Sequence, residues 1–111
     1  MIENTESTEP LLSGRQKKYL KGLAHSLSPV ILIGKEGITE ALIAATEVEL
    51  LRHELIKVKV GNNSGLEKNE TAQVLTAATG SSLVQLIGQT LLLYKKNPKK
   101  PKEERIILPK D

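Results

Sequence analysis

Two glycines bracket a lysine and a glutamate at Gly34-Lys35-Glu36-Gly37, directly after the apolar run Val30-Ile-Leu-Ile33 and directly before Ile38-Thr39. The apolar run reads as a buried strand and Thr39 as the cap of a following helix, which places the glycines in a strand-to-helix loop. Glycine lets the backbone turn tightly and brings main-chain N–H groups close to a ligand. A helix N-terminus adds partial positive charge, so the place suits a phosphate. Lys35 supplies a mobile cation, whereas Glu36 puts an acid in the same loop and weakens its electrostatics. Backbone donors then carry more of the contact, with Lys35 offsetting the acid. The spacing alone is a weak signal, because glycines at such a position are often only a turn.

The remaining cations are unevenly placed. Arg15, Lys17, Lys18 and Lys21 stand together with no acid among them, Lys57 and Lys59 alternate along a second strand, and Lys95 to Lys102 form a basic block. The formal net charge is only +3 over 111 residues, so distribution points to a polyanion, nucleic acid before membrane. On a helical wheel Gln16, Leu20, Leu23, Ala24 and Leu27 gather on one side, and Arg15, Lys18, Lys21 and His25 on the other. One side packs, and the cationic side is expected to meet phosphates. Its apolar stripe has no Trp or Phe anchor, which argues against a membrane-surface helix. Lys57 and Lys59 share an exposed sheet face, as solvating charge or, where RNA lies across the sheet, as further phosphate contacts.

Several absences narrow the function. Phe and Trp are missing and Tyr19 and Tyr94 are the only aromatic residues, so no set of rings exists on which to stack successive bases. The only aspartate is Asp111, and the glutamates do not group into a two-metal centre. The lack of cysteine removes disulfides and thiolate metal sites and fits a reducing compartment. Neither a metal nor another cofactor is expected, nor a small-molecule substrate. His25 and His53 are the acid–base candidates, but each is isolated and falls near a helix C-terminus that welcomes an imidazolium. There is no G-x-S-x-G, no His-x-x-x-His pair and no Walker loop, so the chain does not read as an enzyme. Nothing reads as a transmembrane span or secretory signal, and the expected location is cytoplasmic.

The elements that must hold these residues follow in order. Ser13 and Gln16 form a capping box that opens a helix to about His25, and Thr39 opens a second over Glu40 to His53, with Ile38 and Ile43 as its staple. Leu55 to Val60 alternates as a strand, a helix fits within Glu67 to Thr79 before Gly80, and Leu83–Ile87 and Leu91–Tyr94 form a hairpin. The order α-β-α-β-α-β-β predicts a single α/β domain with a four-stranded mixed sheet. Residues 1–11 read as a disordered acidic lead, 12–95 as the domain, and 96–111 as a flexible basic C-terminal arm whose Ile106 to Leu108 is able to add a short edge pairing.

Four stretches taken together resemble the YhbY-like family, the stand-alone bacterial form of the CRM domain named for chloroplast RNA splicing and ribosome maturation. They are Gln16-Lys-Lys-Tyr-Leu-Lys-Gly-Leu-Ala-His25, Ile33-Gly-Lys-Glu-Gly-Ile38, His53-Glu-Leu-Ile-Lys-Val58, and Val84-Gln-Leu-Ile-Gly-Gln-Thr-Leu91 with Tyr94. The resemblance implies an RNA-binding domain folded like the C-terminal domain of translation initiation factor three, associated with precursors of the large ribosomal subunit. It carries the G-x-x-G loop onto Gly34, Lys35, Glu36 and Gly37, and makes the basic face of the first helix RNA-facing. A KH domain shares the G-x-x-G, but there it normally links two helices. The competing class is a protein-binding adaptor using Val48, Leu51 and the Ile106 to Leu108 tail, with the basic face serving solubility. No long coiled coil or uncovered apolar patch is evident, so a monomer is expected.

Overall fold

The computed structural model describes residues 11–110; the acidic lead, apart from Leu11, lies outside them. Helix α1, Gly14–Ala24, begins where its capping box requires. The Ser13 hydroxyl accepts from the Gln16 amide and the Gln16 side chain accepts from the Ser13 amide, each at 3.1 Å. Strand β1, Pro29–Ile33, leads through the glycine loop into α2, Glu40–His53, whose first turn is capped by the Thr39 hydroxyl accepting from the Leu42 amide at 3.1 Å. Ile38 and Ile43 flank this cap and pack against the same core, which fixes the angle at which the loop enters the helix.

Strand β2, Leu55–Val60, a short 3₁₀ turn and helix α3, Lys68–Thr79, follow. The Glu67 carboxylate caps α3, accepting from the amides of Asn69 and Glu70 at 2.9 Å each. Gly80 ends the helix in the left-handed region with φ at 70°, a conformation that costs a side chain with a Cβ on the order of 1–2 kcal/mol. Strands β3, Ser82–Ile87, and β4, Thr90–Tyr94, form the expected hairpin across the tight turn at Gly88-Gln89.

The four strands make one mixed sheet in the order β1-β2-β4-β3. Strand β1 runs parallel to β2, which α2 makes possible as a crossover, while β4 is antiparallel to both of its neighbours. Helix α3 carries the chain across to β3, and the hairpin then inserts β4 between β2 and β3.

Alternation along the strands builds two cores. Ile31, Ile33, Ile56, Val58, Val60, Leu91 and Leu93 face Leu50 of α2 and Ala72 and Leu75 of α3. Leu55, Val84, Leu92 and Tyr94 face the opposite way, onto Leu20 and Ala24 of α1. Val48 and Leu51, which the periodicity of α2 leaves unplaced, are about half exposed.

The segment after Tyr94 departs from the flexible arm, and from the edge strand, that its composition predicts. Ile106 and Leu108 pack against the α1-side core, and no pairing extends the sheet there. The anchor is Glu54, fully buried at the C-terminal end of α2 with φ at 63°. Its carboxylate accepts from the amides of Asn97 at 2.8 Å and Ile106 at 2.7 Å, while its carbonyl accepts from the Lys95 amide at 2.8 Å. Two lysines close helix ends as well: Lys95 Nζ donates to the Thr79 carbonyl at 2.8 Å and Lys100 Nζ to that of Arg52 at 2.7 Å. The basic block thus uses part of its charge to satisfy carbonyls that the helices leave open.

Candidate nucleic-acid interface

The loop between β1 and α2 is a tight turn in which the Gly37 amide donates to the Gly34 carbonyl at 3.0 Å. One of the amides expected to face a ligand is therefore engaged inside the loop. The amides of Lys35 and Glu36, at the turn's apex, donate to no acceptor among the described residues, and both side chains are exposed. The two glycines serve different ends. Gly37 has φ at +74°, which only glycine adopts readily, whereas a Cβ added at Gly34 would meet nothing within 4 Å. Gly34 leaves the loop open to close approach from outside. Beneath it, Gly61 donates its amide to the Ile33 carbonyl at 2.8 Å, so tightly that a Cβ on Gly61 would lie 2.8 Å from that oxygen. The entry of β1 into the loop thus depends on Gly61, where a side chain would collide with the Ile33 carbonyl.

Helix α1 buries Leu20 and Ala24 and turns Arg15 and Lys18 to solvent, with Lys21 partly buried beside them. Among the described residues the ion pairs are those of Glu49 with Arg52 and with His53, at 4.0 and 3.4 Å. None neutralises Arg15, Lys18, Lys21, Lys35 or Lys59. Alternation from Leu55 puts Lys57 and Lys59 on the sheet face that carries α1. Their roles differ, because Lys57 Nζ donates to the Leu27 carbonyl at 2.9 Å and ties the α1–β1 connection to the sheet. Lys59 is exposed, with Leu32 of β1 and Thr90 of β4 as its register neighbours. Leu32 and Val30, 65 % and 46 % exposed, leave that part of the face open.

The other candidates are dispersed. His25 caps the end of α1 and His53 ends α2, paired within its own helix. Tyr94 is buried, which with the nearby charge of Glu54 pushes its hydroxyl above the usual tyrosine range; Tyr19 is the exposed ring. Among the described residues no group of three or more His, Cys, Asp or Glu is placed to hold a metal ion. Among the described residues no helix is long and apolar enough to cross a membrane.

A four-stranded α/β domain presenting an open strand–glycine loop–helix corner and an unneutralised helix face is the class that this geometry defines. The model of the CRS1 / YhbY (CRM) domain family matches residues 12–95, and the chain belongs to that family. It is 43 % identical over 100 residues to a Haemophilus influenzae protein named "RNA-binding protein", covering 89 % of this chain and 96 % of the other. It is 40 % identical over 87 residues to the Bacillus subtilis "Probable RNA-binding protein YqeI", covering 78 % and 91 %. The solution structure of the hypothetical protein SAV1595 from Staphylococcus aureus superposes with a TM-score of 0.73 at 44 % identity, over 89 % of this chain and all of that one.

Proposed function

We propose that this protein binds structured RNA through its phosphate backbone, without catalysis, and that the RNA is ribosomal RNA or its precursor during assembly of the large subunit in the cytoplasm. The observation that carries the reading is the set of cations without carboxylate partners among the described residues, Arg15, Lys18, Lys21, Lys35 and Lys59, on a fold whose glycine corner leaves amides open. Such a surface gains affinity by releasing counterions and reads shape more than sequence. The Lys35 and Glu36 amides, with Gly34 permitting close approach and Gly37 holding the turn, contact one phosphate; the α1 cations contact its neighbours. The relatives named as RNA-binding proteins support RNA as the partner. The protein acts as a monomer.

A protein-binding adaptor remains the rival reading, since Val48 and Leu51 are about half exposed. Its tail half is weakened, because Ile106 and Leu108 pack inward. In-cell crosslinking with sequencing of the attached RNA separates the two, comparing the native chain with Gly34→Asp, which the open space at that position accommodates. Reads concentrated in the large-subunit precursor and lost in the folded variant are the expected outcome. Diffuse reads, with an association that survives RNase, would replace this reading by the adaptor.

A further inference from the structure

Far from the glycine loop, the returning C-terminal segment walls a cleft of about 630 Å³ against α1 and the ends of β3 and β4. Lys95, Lys96, Lys102 and Arg105 line it together with Tyr94 and Gln16, and among the described residues no carboxylate does. Lys95 is committed to the Thr79 carbonyl, but Lys96 and Lys102 are exposed and have no ion-pair partner among the described residues. Arg105 adds a second observation: its Nε is buried and has no hydrogen-bond partner among the described residues. A guanidinium N–H removed from water without an acceptor is unusual, and a phosphate oxygen is the acceptor whose charge also suits the neighbouring lysines. Glu54, the acid behind this segment, is occupied by the amides of Asn97 and Ile106.

We infer that this cleft is a second phosphate-binding site, built by the C-terminal segment outside the matched family region, that takes a backbone phosphate of the same RNA bound by the glycine loop. The inference rests on the RNA reading above. The cleft lies at the Leu55 and Tyr94 end of the sheet, and the glycine loop at the Val60 end, where Gly61 holds Ile33. Strand β2 spans the separation, roughly 17 Å at about 3.3 Å per residue. Helix α1 bridges the same distance in part, since Gln16 at its start lines the cleft. A track of that length matches several phosphates of a structured RNA and not one small anion. Lys96 and Lys102 attract the backbone, and Arg105 fixes one phosphate in place.

The test uses the full chain, labelled with ¹⁵N, and an RNA hairpin of about 16 base pairs. Lys96→Ala with Lys102→Ala is expected to lower the slope of log affinity against log salt by about 1.5, at about 0.7–0.9 for each phosphate no longer neutralised. In the native chain the Arg105 Nε–H resonance is expected to shift on adding the hairpin. If the native chain binds and Lys18→Ala with Lys21→Ala lowers the slope, but the cleft variant does not and the Arg105 resonance stays fixed, the cleft is overturned and the RNA reading stands. Absence of salt-dependent binding by the native chain would remove both. Saturation of the Arg105 shift by inorganic phosphate alone, at the affinity seen for RNA, would make this a free-anion site and overturn the assignment to RNA.

Discussion

Glu54 Oε1 accepts the Ile106 amide at 2.7 Å across 52 residues of chain, and this bond joins the end of α2 to a segment that composition alone would leave loose. Because the carboxylate is fully buried and also holds Asn97, removing it strands two amides. Glu54→Ala should lower stability by about 1–3 kcal/mol in chemical denaturation and speed exchange of the Asn97 and Ile106 amides. Glu54 also sits at positive φ, so Glu54→Gly should cost less than Glu54→Ala by on the order of 1 kcal/mol. Equal losses would show that the backbone conformation contributes nothing.

The two loop glycines should separate stability from binding. Gly37→Ala forces a Cβ into φ of +74° and should destabilise by about 1–2 kcal/mol, whereas Gly34→Ala, with open space around it, should leave the unfolding midpoint nearly unchanged. Gly34→Ala should nevertheless weaken RNA binding by crowding the approach to the Lys35 and Glu36 amides. Native affinity in a folded Gly34→Ala protein would count against the loop.

Two lysine changes of similar size should behave in opposite ways. Lys18→Ala with Lys21→Ala removes unpaired cations and should reduce the salt slope by about 0.7–0.9 for each phosphate left without its cation, with little change in stability. Lys57→Met removes the tether to the Leu27 carbonyl and should instead cost about 1 kcal/mol of stability while moving the slope little. A titration series in salt alongside thermal unfolding reads both.

Acid should loosen the start of α3. The Asn69 and Glu70 amides hold the Glu67 carboxyl below its ordinary value, so its charged form favours the folded state. Its contribution is present above the unfolded glutamate value and is lost as pH falls through the lower folded value. The stability difference between native protein and Glu67→Gln should therefore be visible at neutral pH and vanish on acidification. A difference independent of pH would assign the cap to shape alone.

Most of the architecture was legible because its signals are local. The Ser13–Gln16 box, the Thr39 cap, Gly80 and the alternation of Leu55 to Val60 each lie within a few residues of what they determine, and those elements fall where the spacing puts them. The place of the glycine loop between β1 and α2 was legible on the same grounds. What escaped depends on partners distant in sequence. No periodicity announces that Glu54 will take its donors from Asn97 and Ile106, that Lys57 will reach the Leu27 carbonyl, or that Gly61 will press against Ile33. Nor does composition distinguish lysines that close helix ends, Lys95 and Lys100, from those left to solvent, Lys96 and Lys102.

Strand β4 occupies the middle of the sheet although it is the last strand to be made. During synthesis β1, α2 and β2 can associate as soon as they emerge, but β3 has no neighbour until Thr90 to Tyr94 is available. The nascent chain must therefore keep the apolar rims of β2 and β3 unpaired until Thr90 to Tyr94 has left the ribosome, and then close both ladders with one hairpin. Pairing of that kind is non-local and slow relative to helix formation. A chain that stops before Thr90 is thus not a shortened version of this domain but a sheet with its central plank missing.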